Sequence, residues 1–142
     1  MTAGSGDRNP ADPSLQTFNA FSPRGGVVSE GFNVSPANVL HARVALDFDL
    51  APSLKATVAL ETLLRNSLRD GIYGPGGNLI RAPGSSVARN VGNDIDAGFN
   101  WRIDRHSTLT LTCGYFFSGQ FIKQSGPPRD MRFGTLTYFY RF

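Results

Sequence analysis

Residues 40–50 read Leu40-His41-Ala42-Arg43-Val44-Ala45-Leu46-Asp47-Phe48-Asp49-Leu50. Every even position is apolar, while the odd positions are mostly polar or charged. Successive side chains of a strand point to opposite faces, so this alternation predicts a β-strand with one oily and one wet side. After Ala51-Pro52-Ser53 the pattern resumes, with Leu54, Ala56, Val58 and Leu60 opposing Lys55, Thr57, Ala59 and Glu61. Leu60, Leu63 and Leu64 also fit helical spacing, but Thr57, Val58 and the period of two favour a strand. A third run sets Ile95, Ala97, Phe99, Trp101 and Ile103 against Asp94, Asp96, Gly98, Asn100 and Arg102. A fourth sets Leu109, Leu111, Cys113, Tyr115 and Phe117 against Thr110, Thr112, Gly114 and Ser118. The last places Leu136, Tyr138, Tyr140 and Phe142 opposite Thr135, Thr137, Phe139 and Arg141. The fold class expected is all-β, with five hairpin-connected antiparallel strands.

The rest of the composition narrows the class. A length of 142 residues suits one domain. Fourteen Lys and Arg against eleven Asp and Glu leave a net charge of +3, too mild and too dispersed for a nucleic-acid partner. One cysteine, Cys113, excludes an internal disulfide and a cysteine-based metal cluster. No apolar run exceeds three residues, which excludes a transmembrane helix but not a membrane, because barrel strands alternate. Residues 1–36 carry Pro10, Pro13, Pro23 and Pro36 with Gly25-Gly26, and read as loop. Met1 to Leu15 lacks the basic and apolar regions of a signal peptide.

Three features favour a transmembrane β-barrel over a soluble β-sandwich binding module. The alternating runs last about 10 to 12 residues, whereas soluble strands are mostly about 5 to 6. The connections alternate between tight (51–53, 104–107) and long (66–90, 119–130), as outer-membrane barrels alternate periplasmic turns with outside loops. Phe48, Phe99, Trp101, Tyr138, Tyr140 and Phe142 fall near the turn ends of the oily face, and Phe117 falls near the loop end. Amphipathic rings concentrate at membrane interfaces. The expected partners are therefore outer-membrane lipid and the barrel assembly machinery.

The terminal stretch 136–142 resembles the C-terminal assembly signal of outer-membrane barrels, with Leu136, Tyr138, Tyr140 and Phe142 in its alternate positions. The loop Asp70-Gly71-Ile72-Tyr73-Gly74-Pro75-Gly76-Gly77-Asn78-Leu79-Ile80-Arg81 is more specific. Together with Ser5-Gly6-Asp7-Arg8-Asn9-Pro10 and Phe117-Ser118-Gly119-Gln120-Phe121-Ile122 it resembles the alginate export family of outer-membrane proteins. The resemblance implies a large single-chain barrel, of which five strands would be the C-terminal part. Residues 1–38 are then a loop or partial segment, residues 39–142 are the final strands, and the chain is expected to be a fragment of a larger barrel. It also implies an outer-membrane location and an anionic polysaccharide such as alginate, or a small anionic solute, as cargo.

On this reading the wet face lines a pore with Arg43, Asp47, Asp49, Lys55, Glu61, Arg65, Asp94, Asp96, Arg102 and Arg141, five basic and five acidic residues. Pairing the first two strands across the tight turn puts Leu50 opposite Leu54, Arg43 opposite Glu61 and Asp49 opposite Lys55. The excess positive charge falls in the loops, on Arg8, Arg24, Arg69, Arg81, Arg89, Lys123, Arg129 and Arg132. No catalytic residues, metal ligands or cofactor are expected. Gly74-Pro75-Gly76-Gly77 is glycine-rich like a phosphate cradle, but no Lys-Ser or Lys-Thr follows it. Asp104, His106 and Ser107 share one tight turn, which suits a polar turn better than a triad. His41 reads as a solvated side chain, Asp94 and Asp96 lack a third partner, and Cys113 faces the oily side. An enzyme on a barrel scaffold would need a nucleophile and base near the rim, and no such pair stands out.

Overall fold

A computed structural model describes residues 1–19 and 34–142. Pro23, Arg24 and Gly25-Gly26 lie outside the described residues. Five long strands form where the alternation predicts them: β2 (Val39–Ala51), β3 (Leu54–Arg65), β6 (Asn90–Arg102), β7 (Ser107–Ser118) and β8 (Met131–Tyr140). Four of them run 12 or 13 residues, about twice the usual soluble strand. The helical alternative for 54–65 loses, because only a strand lets Val58 and Leu60 share a face with Val44 and Leu46 across the ladder. The sheet is antiparallel throughout, in the order β1-β2-β3-β6-β7-β8, where β1 is the pair Thr2–Ala3.

The connections hold more structure than their Gly and Pro content suggests. Residues 1–36, expected to be loop, contribute β1, which pairs with Leu40 and His41 and makes the sheet six-stranded rather than five. The 66–90 connection contains a two-stranded hairpin, β4 (Ile72–Tyr73) with β5 (Leu79–Arg81). The 119–130 connection contains a six-residue helix, α1 (Gln120–Ser125). No helix among the described residues is long and apolar enough to cross a membrane.

Register follows the charges. Arg43 pairs with Glu61 and Asp49 with Lys55, as the opposite-charge rule predicts. Leu50 does not face Leu54: a bulge between Asp49 and Ala51 gives that position to Ala51. A second irregularity, between Leu63 and Leu64, offsets the top of β3 against β6. Bulges of this kind sharpen the local twist. Arg132, expected in a loop, lies within β8 opposite Tyr115, with its guanidinium 5.6 Å from that ring.

The two faces of the sheet differ completely. One carries Val44, Leu46, Val58, Leu60, Ile95, Leu111 and Leu136, all exposed, with Val44 at 70% and Leu136 at 67%. The opposite face carries most of the charges and threonines, while Thr62 and Arg132 lie on the apolar side near the loop end. Only at its loop end is that wet face covered: Val39, Leu63, Val91 and Phe116 of the strands pack with Ile72 of β4, with Phe121 and Ile122 of α1, and with Val34. The core of the described chain is therefore small and lies at one end of the sheet. Glycine is required at position 92, where a Cβ would collide with the Phe116 ring lying across it. An aromatic from the next strand thus covers the gap a strand glycine leaves.

Candidate functional site

Two groups of polar residues stand out, a ladder on the wet face and a loop cluster above it. On the ladder, Arg43, Glu61 and Asp94 are successive partners across β2, β3 and β6. Glu61 receives two donors, since its carboxylate lies 2.7 Å from the His41 ring and 2.8 Å from Arg43 Nε. Arg43 also reaches Asp96 at 3.7 Å. Lower on the face Thr57 donates to Asp47 at 2.7 Å, and Lys55 lies 3.0 Å from Asp49. Near the tight turns Arg102 donates to the Pro52 carbonyl, and Arg141 is exposed just beyond β8.

The arrangement gives Arg43, Lys55, Asp49, Glu61 and Asp96 neighbours of opposite sign, and Arg102 a backbone acceptor. His41 is buried and bonded to Glu61 rather than solvated, which its isolation in the sequence does not reveal. Its signal is register: positions 41, 43 and 61 become neighbours only when the hairpin is paired. Asp94 is buried and Asp96 half-buried on the same face.

Arg65 departs from the other wall residues. It shares their face, yet it is fully buried under the loops. Its guanidinium donates to the carbonyls of Ala88, Ser86, Leu68 and Asp70 at 2.7 to 3.2 Å and lies 3.9 Å from the centre of the Phe121 ring. A planar group with five donors can bind several carbonyls at once while its face stacks on an aromatic. Arg65 therefore ties the β3–β6 connection to α1.

The same cluster gathers the three motifs that carry the family resemblance. Asp70 accepts from the Asp7 amide at 2.8 Å, the Thr17 hydroxyl at 2.6 Å, the Gly71 amide at 2.7 Å and the Tyr73 hydroxyl at 2.6 Å. Asn38, held at a φ of 56°, donates to the carbonyls of Ser67 and Gly71 and accepts from the Ser67 amide. Gly6 must be glycine, because a Cβ would strike the Asn38 side chain. Gly74-Pro75-Gly76-Gly77 is the turn of the β4–β5 hairpin, closed by the Gly74 amide on the Asn78 carbonyl at 2.8 Å. Asp104 accepts the amides of His106 and Ser107, which completes a polar turn and holds its carboxyl below the usual range.

Burial, with help from the Asp70 carboxylate, pushes the Tyr73 hydroxyl up to about 12. A raised phenol favours the protonated folded form, so its contribution to stability is complete below pH ~10 and fades as pH climbs through about 12. In an ultraviolet titration a tyrosine step near pH 12 should be present, and Tyr73→Phe should abolish it.

Comparison with known proteins adds one finding. The family model described as Alginate export matches residues 1–135. No curated protein and no solved structure matches the chain.

Proposed function

The chain belongs to the alginate export family, and on that premise we propose that it contributes the C-terminal strands of an outer-membrane β-barrel, a conduit passing an anionic polysaccharide such as alginate, or smaller anionic sugars. Residues 39–142 supply the spanning strands β2, β3, β6, β7 and β8, and residues 1–38 are a partial segment that precedes them and contributes β1. The observation that carries the reading is the asymmetry of the sheet. Its apolar face is exposed over five strands, far beyond the scattered apolar residues a soluble monomer shows.

That face is also banded. Trp101, Leu109 and Tyr138 share one row at the turn end, while Asn93 and Phe117 share one near the loop end. Between residues 93 and 101 the strand advances about 27 Å, and a tilt of about 40° projects this onto about 21 Å, most of the roughly 25 Å apolar band of such barrels. Val58, Leu60, Ile95, Leu111 and Leu136 lie in the interval together with Phe99 and Tyr115, and Arg132 enters it from the loop end. The outer flank of β2 below His41 and the outer edge of β8 carry unpaired backbone groups among the described residues. Hydrocarbon cannot satisfy such groups, and a closed barrel does.

The wet face then lines the lumen with Arg43, Asp47, Asp49, Lys55, Glu61, Asp94, Asp96, Arg102 and Arg141. Guanidinium groups pair with carboxylates in planar fashion, which suits a cargo of repeating uronates. Catalysis is not part of this role. Leu136, Tyr138, Tyr140 and Phe142 present the alternate aromatic pattern read by the assembly machinery. In planar bilayers holding the complete barrel, neutralising Arg43, Arg102 and Arg141 to Gln should shift the reversal potential toward cation permeation. Unchanged potentials would remove these residues from the selectivity of the pore.

A further inference from the structure

Outside the sheet, a polar basin of about 390 Å³ opens on the loop cluster between Arg8, Asn66, Ser67, Arg69 and Arg89. Its three guanidiniums come from segments far apart in sequence, so the fold assembles them. Arg89 donates to the carbonyls of Arg65 at 3.1 Å and Asn66 at 2.7 Å, and Arg69 donates to the Arg8 carbonyl at 3.2 Å. Arg69 and Arg89 are each anchored through one nitrogen, and the rest of each donor fork remains for another acceptor.

The acids of the same loops are occupied elsewhere. Asp70 faces inward and holds four donors, and Asp7 accepts the Asn9 amide. The ion pairs among the described residues all lie on the sheet, between His41, Arg43 or Lys55 and Glu61, Asp96 or Asp49. The basin therefore concentrates three positive charges without a carboxylate partner among the described residues, in a concavity large enough for a sugar ring.

We infer that this basin is an oxyanion subsite that binds the carboxylate of a uronate residue at the rim of the conduit. The inference rests on the proposed transport reading, which supplies a carboxylate-bearing polymer. A planar carboxylate fits the planar forks of Arg69 and Arg89 in two-pronged fashion, while Arg8 adds long-range attraction.

The test is titration of the detergent-solubilised protein with a short oligouronate, a neutral oligosaccharide of equal length and inorganic phosphate. Wild type should bind the oligouronate, more weakly as salt rises, and should not bind the neutral sugar. Arg8→Gln, which removes no hydrogen bond of the loop cluster among the described residues, should weaken binding about tenfold, and Arg8→Lys should restore part of the loss. Equal oligouronate affinity in wild type, Arg8→Gln and Arg89→Gln would overturn the subsite. So would preferential binding of phosphate, which would mark the basin as a phosphate site. Failure of the transport reading is separable, because it appears as absent anion selectivity in bilayers whatever Arg8 does.

Discussion

Arg65→Met is expected to loosen the whole loop end, at a cost of about 3–5 kcal/mol. The substitution keeps an unbranched stem of similar length but deletes every donor. Four backbone carbonyls, from Leu68, Asp70, Ser86 and Ala88, then lose a hydrogen bond, those of Asp70 and Ser86 in a buried setting and the others half-buried. A hydrogen bond to a charged donor contributes about 1.5–3 kcal/mol, but deleting the buried charge also removes its own desolvation cost, which leaves the smaller net loss. The Phe121 ring also loses the cation stacked on it, which weakens the seat of α1. Limited proteolysis should then cut within 66–90 at low protease, while the long strands keep their protection. Unaltered cleavage would mean that Asn38 and Asp70 hold the loops alone.

The second large effect concerns the oily face. Val58→Arg should cost about 2–4 kcal/mol in a membrane-inserted protein, because it puts a charge near the middle of the apolar band. Its neighbour gives the control. Thr57 points to the wet side and already donates to Asp47, so Thr57→Arg gains an acid partner and should change stability by less than about 1 kcal/mol. Urea unfolding in lipid vesicles measures both. Equal costs at the two positions would remove the distinction between a lipid face and a lumen face.

The long strands were legible because their information is local. Leu40 to Leu50 alone states which side is oily, and the opposite charges at 43 and 61, and at 49 and 55, state the register. Parity also assigned Arg65 to the correct face. It could not report that loops cover that face at one end, since parity carries orientation and not what lies above. The missed elements share a cause. Thr2–Ala3, the two strands of the β4–β5 hairpin and α1 are each six residues or shorter, too brief to show a period and too short to stand alone. Tertiary bonds hold them: the Gly4 amide on the Val39 carbonyl, the Asn66 side chain on the Gly4 carbonyl, Arg65 beneath Phe121. Nothing within a few residues of Gln120 announces a helix, because the stabilising contact is Arg65. The bulge that displaced Leu50 is likewise invisible to a count of alternating residues.

The loop cluster also constrains the order of events during biogenesis. Its bonds join Asp7 to Asp70, Asn38 to Gly71, and Arg65 to Ala88, and its apolar centre adds Phe121. Those points come together only after the intervening ribbons have delivered their ends to the same side. Such long-range closure is slow, since chain entropy must be given up before any contact is gained. The knot of loops therefore tightens last, as a latch on a sheet already threaded, and until then its polar ends remain free to travel.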